Sequence, residues 1–173
     1  ANTWLNDEPP VEGDTVIIPQ DQTVLIDIPL PKLFLVLVQG FVMFDPNASV
    51  PLNMNATYII VYGGTLQAGT ADAPFEGELA ITLHGHRYND IQLPSFGSKV
   101  LAVTDRGGLT KSNFANGPGH EVPLSEKGVL DLHGKRRIAT WVHVSTRVAI
   151  GSDFIDTSCP VDFAAGESIV LSG

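Results

Sequence analysis

Short apolar runs that close on a glycine recur along this chain, and that recurrence limits the folds open to it more than any other feature. The segments DTVIIP, QTVLIDI, KLFLVLVQGFVMF, ATYIIVYGGTLQAG, ELAITLHG, SKVLAVT, GVLDLHG, ATWVHVSTRVAIG and ESIVLS are rich in Val, Ile, Leu, Thr and aromatic residues. Such runs, bounded by Gly, Pro, Asn or Asp, predict β-strands. Several alternate with period two. Leu79, Ile81 and Leu83 share one strand face, with Ala80, Thr82 and His84 on the other. In a later copy of the phrase, Leu130 and Leu132 oppose Val129, Asp131 and His133. No segment carries apolar residues at helical spacing over three turns. One short helical turn is expected, within residues 71–77.

The expected class is therefore all-β. Strands that turn sharply at glycine corners suit a right-handed parallel β-helix, a solenoid-like stack in which each rung buries a few aliphatic side chains. The stack is irregular, because its two Leu-His-Gly units lie 49 residues apart. A β-sandwich is the alternative.

A chain of 173 residues suffices for one well-cored domain, so a single domain over 1–173 is expected. Residues 105–127 hold little strand pattern and predict an inserted surface loop. The net charge of −9 weighs against nucleic acid, whose binders draw affinity from clustered Lys and Arg. No apolar run reaches membrane-span length, and the segment ANTWLNDEPP lacks the pattern of a signal peptide, so a fragment of a larger protein is expected. The single Cys159 precludes an internal disulfide and is expected to serve as a small buried hydrophobe. Two Asn-x-Ser/Thr sequons, at Asn47 and Asn55, point toward a glycosylated, extracellular chain.

Longer phrases carry a resemblance. The segment TWLNDEPPVEGDTVIIPQDQTVLIDIPLPKLFLVLVQGFVMF is followed by ATYIIVYGGTLQAGTADAPFEGELAITLHG, FGSKVLAV, GVLDLHGKRRIATWVHVSTRVAIGSDFI and FAAGESIVLS. In that order they resemble the eight-glycine domain family from about Thr3 to Ser172. Gly13, Gly40, Gly63, Gly64, Gly69, Gly77, Gly85, Gly97, Gly134, Gly151 and Gly166 fall where that family places glycines. Two departures stand out: the 105–127 loop is longer, and Phe163 and Glu167 replace the more usual Trp and Asp. The resemblance implies an extracellular, mostly β module, usually followed by parallel β-helix repeats in large cell-surface or secreted proteins. Fibrocystin/polyductin, fibrocystin-like and hyaluronan-binding proteins carry such modules, and some are tied to hyaluronan breakdown. It supplies no catalytic residue to carry over.

Candidate chemistry is sparse. His84 and His86, at i and i+2, would point the same way on a continuing strand, a spacing used for divalent metals. Further ligands would have to come from Asp90, His120 or Glu121 through folding, and Gly85 ends the strand between the two histidines. The phrase returns as Leu-His-Gly-Lys at His133–Lys135, so the shared element is Leu-His-Gly, and a strand-end histidine donating a hydrogen bond to the next coil accounts for it. The carboxylates Asp7, Glu8, Asp14, Asp27, Asp131, Asp153 and Asp156 show no catalytic spacing, and Asp14 and Asp27 suit turns and strand ends. No nucleophile elbow, phosphate loop or metalloprotease helix is present.

Arg136, Arg137 and Arg147 would present guanidinium forks, beside the Lys135 ammonium, suited to a sulfated or carboxylated glycan, and Trp141 or Tyr88 offers a stacking face. The expectation is a non-catalytic recognition or scaffold module without a cofactor, contacting an extracellular glycan or protein ligand and flanked by a β-helix. The alternatives are part of a glycan-processing enzyme, or a purely structural cap of a β-solenoid.

Overall fold

A computed structural model of the chain describes Trp4 and residues 8–86, 88, 92–93, 96–106 and 126–171. Asp7, Asp90, His120, Glu121 and most of the expected 105–127 loop lie outside the described residues. The chain divides into two units, Ala1–Gly134 and Lys135–Gly173.

The first unit holds the strands: β1 (Thr15–Ile18), β2 (Thr23–Ile26), β3 (Lys32–Val38), β4 (Phe41–Phe44), β5 (Leu52–Tyr62), β6 (Thr65–Ala68), β7 (Leu79–Leu83), β8 (Val100–Thr104) and β9 (Val129–Leu132). No α-helix occurs among the described residues. One sheet runs β1-β3-β5-β7, with β8 also paired to β5, and the other runs β2-β4-β6-β9. Every pairing between these strands is parallel. From β1 to β7, successive strands alternate between the two sheets. The all-β class is thus observed, in parallel order.

Register fixes which side chains turn inward. Val24 pairs with Val42, Val42 with Leu66, and Leu66 with Leu130, one inward column rising through the second sheet. Val42 and Leu66 are buried, as are Ile18, Val38, Phe44, Met54 and Val61 from both sheets, and these residues belong to one apolar cluster. No polar or charged residue is buried among those described. Each fully buried aliphatic contributes about 1.5–3 kcal/mol.

The first sheet bends in mid-strand. In β3 the inward residues are Leu33 and then Val36, and in β5 they are Ala56 and then Ile59. The alternation slips by one residue at the same level in both strands. Beyond the slip, β5 exchanges its partner β7 for β8. Tyr58 sits at the bend, buried, with its hydroxyl donating to the Gly97 carbonyl at 2.6 Å and Phe34 edge-on at 5.5 Å.

The corners leading from the first sheet to the second are built from stacked backbone. Phe41 N donates to Gln22 O, Thr65 N to Gly40 O, and Val129 N to Gly64 O, each at 2.8–2.9 Å. A Cβ on Gly40 would stand 2.2 Å from Pro19 O, one on Gly64 2.5 Å from Gly40 O, and one on Gly128 2.5 Å from Thr104 O. Close approach, not unusual φ, demands glycine here. Gly128 was not among the glycines expected from the family pattern. Gly134 was, yet its Cβ direction meets nothing within 4 Å.

Three expectations need correction. Residues 71–77 form bends, and their Phe75 bridges in parallel to Gly134 and enters the core; there is no helical turn. The run ATWVHVSTRVAIG and the described part of ESIVLS, residues 167–171, are not strands. In the second unit one antiparallel bridge, Val144 to Thr157, is the regular pairing among the described residues. An isolated two-stranded ribbon is marginal at best, which explains why strand propensity alone does not produce strands there. Cys159 is exposed, because the buried apolar residues all lie between Ile18 and Phe75.

The corner geometry sets a test. Gly64→Ala is expected to destabilise the chain by about 3 kcal/mol or more, since backbone must move. Gly134→Ala is expected to stay within about 0.5 kcal/mol of the parent. Urea unfolding of the two variants measures the contrast, and equal midpoints would refute the stacked corner.

Candidate functional site

The two Leu-His-Gly units occupy equivalent places at the ends of β7 and β9. His84 N donates to Ala56 O, and His133 N to Ala68 O, both at 2.8 Å. The recurring bond is therefore donated by the backbone of each strand-end histidine to the neighbouring strand of its sheet. The side chains diverge. His84 Nε2 is buried without a hydrogen-bond partner among the described residues, while His86 Nδ1 accepts from Tyr88 N at 3.2 Å. No group of three or more His, Cys, Asp or Glu side chains among the described residues is placed to hold a metal.

A polar cluster that the sequence did not single out lies on β6 and β9. Gln67 and Asp131 are register partners. Gln67 Nε2 donates to Asp131 Oδ2 at 2.9 Å, and Asp131 Oδ1 meets His133 Nε2 at 2.7 Å. The Gln67 amide, and then His133, hold the Asp131 carboxyl below its ordinary value. Period-two alternation explains the grouping: with Leu66 and Ala68 inward, Gln67 and Asp131 take the opposite face. The spacing of Asp131 and His133 was legible, but Gln67 arrives through a register of 64 residues, which spacing alone does not reveal.

An Asp–His pair orients an imidazole, yet acid–base catalysis also needs a substrate held against it. An apolar cavity of the first unit, about 140 Å³, is lined by Trp4, Pro10, Ile18, Ile26, Leu33 and Met54 among others, and by the connection between β2 and β3. The cluster and the cavity do not share a residue. Asp14 does what a turn carboxylate should, since its Oδ2 accepts from Val11 N at 2.9 Å. Asp27 lines the cavity.

The expected cationic residues all belong to the second unit. Lys135, Arg136, Arg147 and Trp141 are exposed. Arg137 is committed to partners: its Nη2 pairs with Glu167 Oε1, and its Nη1 donates to the Asp162 carbonyl at 2.9 Å. Glu167, held by Arg137 and by the Ala164 amide, lies below its ordinary pKa, and Arg137 is raised by the same carboxylate. The Trp141 ring meets His143 edge-on at 5.3 Å. Tyr88 is exposed in the first unit.

The base of the expected loop is tied to the glycine corner. Arg106 N donates to Glu126 O at 2.7 Å, and its Nη2 reaches the carbonyls of Gln39 and Gly63 at 3.3 and 3.4 Å. Asp105 Oδ1 accepts from Gly128 N at 3.1 Å. The chain thus leaves and rejoins the sheets at one anchored neck.

Comparison with known proteins places this geometry in context. The family model described as the G8 domain, the eight-glycine family anticipated from the motifs, matches residues 3–145. Fibrocystin-L of Homo sapiens is 31% identical over 170 residues, covering 98% of this chain and 3% of that protein. Fibrocystin-L of Mus musculus is 29% identical, over 99% of this chain and 4% of its own length. Fibrocystin of Canis lupus familiaris is 26% identical, with the same shares of 99% and 4%. The chain therefore spans only 3–4% of these relatives. No solved structure matches significantly.

The two carboxylates give a pH prediction. Asp131 and Glu167 have folded-state pKa values below their ordinary 3.8 and 4.5. Their contribution to stability is thus fully present above those values and lost as pH falls through the depressed ones. Carboxyl titration followed by NMR is expected to show both below the ordinary range. Gln67→Leu should raise Asp131, and Arg137→Ala should raise Glu167. An unmoved Glu167 in Arg137→Ala would count against the ion pair.

Proposed function

The chain belongs to the G8 domain family, and from that premise we propose that it is a non-catalytic, extracellular scaffold and recognition module of a far larger cell-surface or secreted protein. In this reading the two parallel sheets are the flanks of a right-handed β-helix, the mid-strand bend divides the first sheet into two faces, and further rungs continue the stack. One observation carries the reading. The inward column of the second sheet ends on Leu130 and Leu132, which are 37% and 44% exposed although their register partners Leu66 and Ala68 are buried.

β9 is an edge strand among the described residues. Val129 at its start and His133 just past its end donate their backbone N–H groups to Gly64 O and Ala68 O, on the β6 side. By the alternation of a parallel ladder, the amides of Leu130 and Leu132 face outward. A bare edge with apolar side chains is a liability unless covered. A following rung of the parent protein would cover it, and relatives many times longer than this chain supply length for such rungs. The exposed Lys135, Arg136, Arg147 and Trp141 offer a surface for an anionic glycan or protein partner, on the chemistry of guanidinium forks and aromatic faces. No helix among the described residues is long and apolar enough to cross a membrane.

The test compares amide exchange at Leu130 and Leu132 in the isolated chain and in the long parent protein. Exchange is expected to slow in the parent by at least about tenfold, equivalent to about 1.4 kcal/mol. Equal rates would overturn the continued stack. High-molecular-weight hyaluronan incubated with the chain, with calcium, zinc or chelator, is expected to keep its length. Metal-dependent shortening that disappears in His84→Ala or His86→Ala would replace the non-catalytic reading with an enzymatic one.

A further inference from the structure

The two sequons differ in structure more than in sequence. Asn47-Ala48-Ser49 lies in the connection between β4 and β5, outside any strand. There Asp45 organises a turn: its Oδ1 accepts from Asn47 N at 2.9 Å, and its carbonyl accepts from Ala48 N at 3.2 Å. Ala48 packs against the core, while Asn47 and Ser49 are exposed on either side of it. The turn is anchored by its middle residue and displays the acceptor and its hydroxyl partner to solvent.

Asn55-Ala56-Thr57 lies inside β5, the central strand of its sheet. Asn55 is paired in register with Lys32 on one side and Thr82 on the other, and Ala56 is wholly buried. Presenting this triplet to a transferase would require pulling the middle of β5 out of two ladders. A sugar on Asn55 would also overlie rows only about 4.8 Å away on each side.

We propose that Asn47 is the N-glycosylation site of this module and that Asn55 stays unmodified; the proposal rests on the extracellular reading. The ligand class is a lipid-pyrophosphate-linked oligosaccharide. Asn47 Nδ2 attacks C1 of its first N-acetylhexosamine, and an N–C1 bond forms. The C1–O bond to phosphate breaks, its electron pair leaves with the lipid pyrophosphate, and an amide proton passes to the transferase's base. Nothing is oxidised or reduced. The glycan would occupy a corner running from the second sheet to the first, leaving the glycine-stacked corners running the other way unmodified.

The experiment expresses the full chain behind a secretion leader in a eukaryotic host, alongside a reporter with a known sequon, and maps glycans by enzymatic release and peptide mass. Asn47 is expected to be modified in most molecules and Asn55 to be bare. Asn47→Gln should lose the glycan mobility shift, and Asn55→Gln should keep it. Ser49→Ala, which retains the asparagine and so its turn, should also lose the shift. A glycan on Asn55, or a bare Asn47 with the reporter glycosylated, would overturn the proposal. A second arm maps the parent protein from its native cells. A glycan at Asn47 there supports the proposal, and glycans elsewhere but not at Asn47 refute it alone. Their absence from the whole protein refutes the extracellular reading as well.

Discussion

Backbone stacked directly on backbone at the glycine corners is the constraint on which the rest of this structure depends. Parallel strands lie about 4.8 Å apart, so successive crossings from the first sheet to the second must stack at that same spacing. Gly40 and Gly64 do this with no side chain between them, and the Thr65 amide bonds the Gly40 carbonyl. Once the corners are level, the inward columns align, and Val42, Leu66 and Leu130 become register partners without any choice of their own. The corner is also where Arg106 and Asp105 fasten the neck of the 105–127 segment. Packing, register and the placement of the largest connection all descend from it.

An interior built this way buries no charged side chain among the described residues, and apart from the Tyr58 hydroxyl its polar chemistry is displaced to the strand faces and connections. Gln67, Asp131 and His133 form their cluster on the face opposite the core, since a period-two strand that buries Leu66 and Ala68 must turn Gln67 away. The pair Arg137 and Glu167 similarly joins distant parts of the second unit by exposed side chains, where such bonds contribute little. Neither cluster shares a residue with the apolar cavity of the first unit.

The legible part of the fold was whatever repeats locally. The strand faces of Leu79–Leu83 and Val129–Leu132 followed from alternation, and both are strands. KLFLVLVQGFVMF contains two strands, β3 and β4, split at the corner glycine that the run itself displays. What escaped was set by contacts distant in sequence. Gly128 matters because Thr104 O lies where its Cβ would be, a fact about a neighbouring strand end. Gln67 joins Asp131 only through register. In the second unit, Val144 and Ile150 have strand propensity, but without a continuous ladder their segment forms a single bridge. A strand is a relation between two segments, and one segment discloses only half of it.

The widening interval between register partners has a consequence for what such a chain can absorb. Partners lie 18 residues apart at Thr23–Phe41, 24 at Phe41–Thr65 and 64 at Thr65–Val129. Loop-closure entropy grows only logarithmically, so passing from the middle interval to the longest costs about 1 kcal/mol. That is less than one well-buried leucine returns. Provided the neck is tied at its base, a connection between register partners is therefore almost free to lengthen, and ancestry can write new material there while the paired sheets beneath keep their alignment.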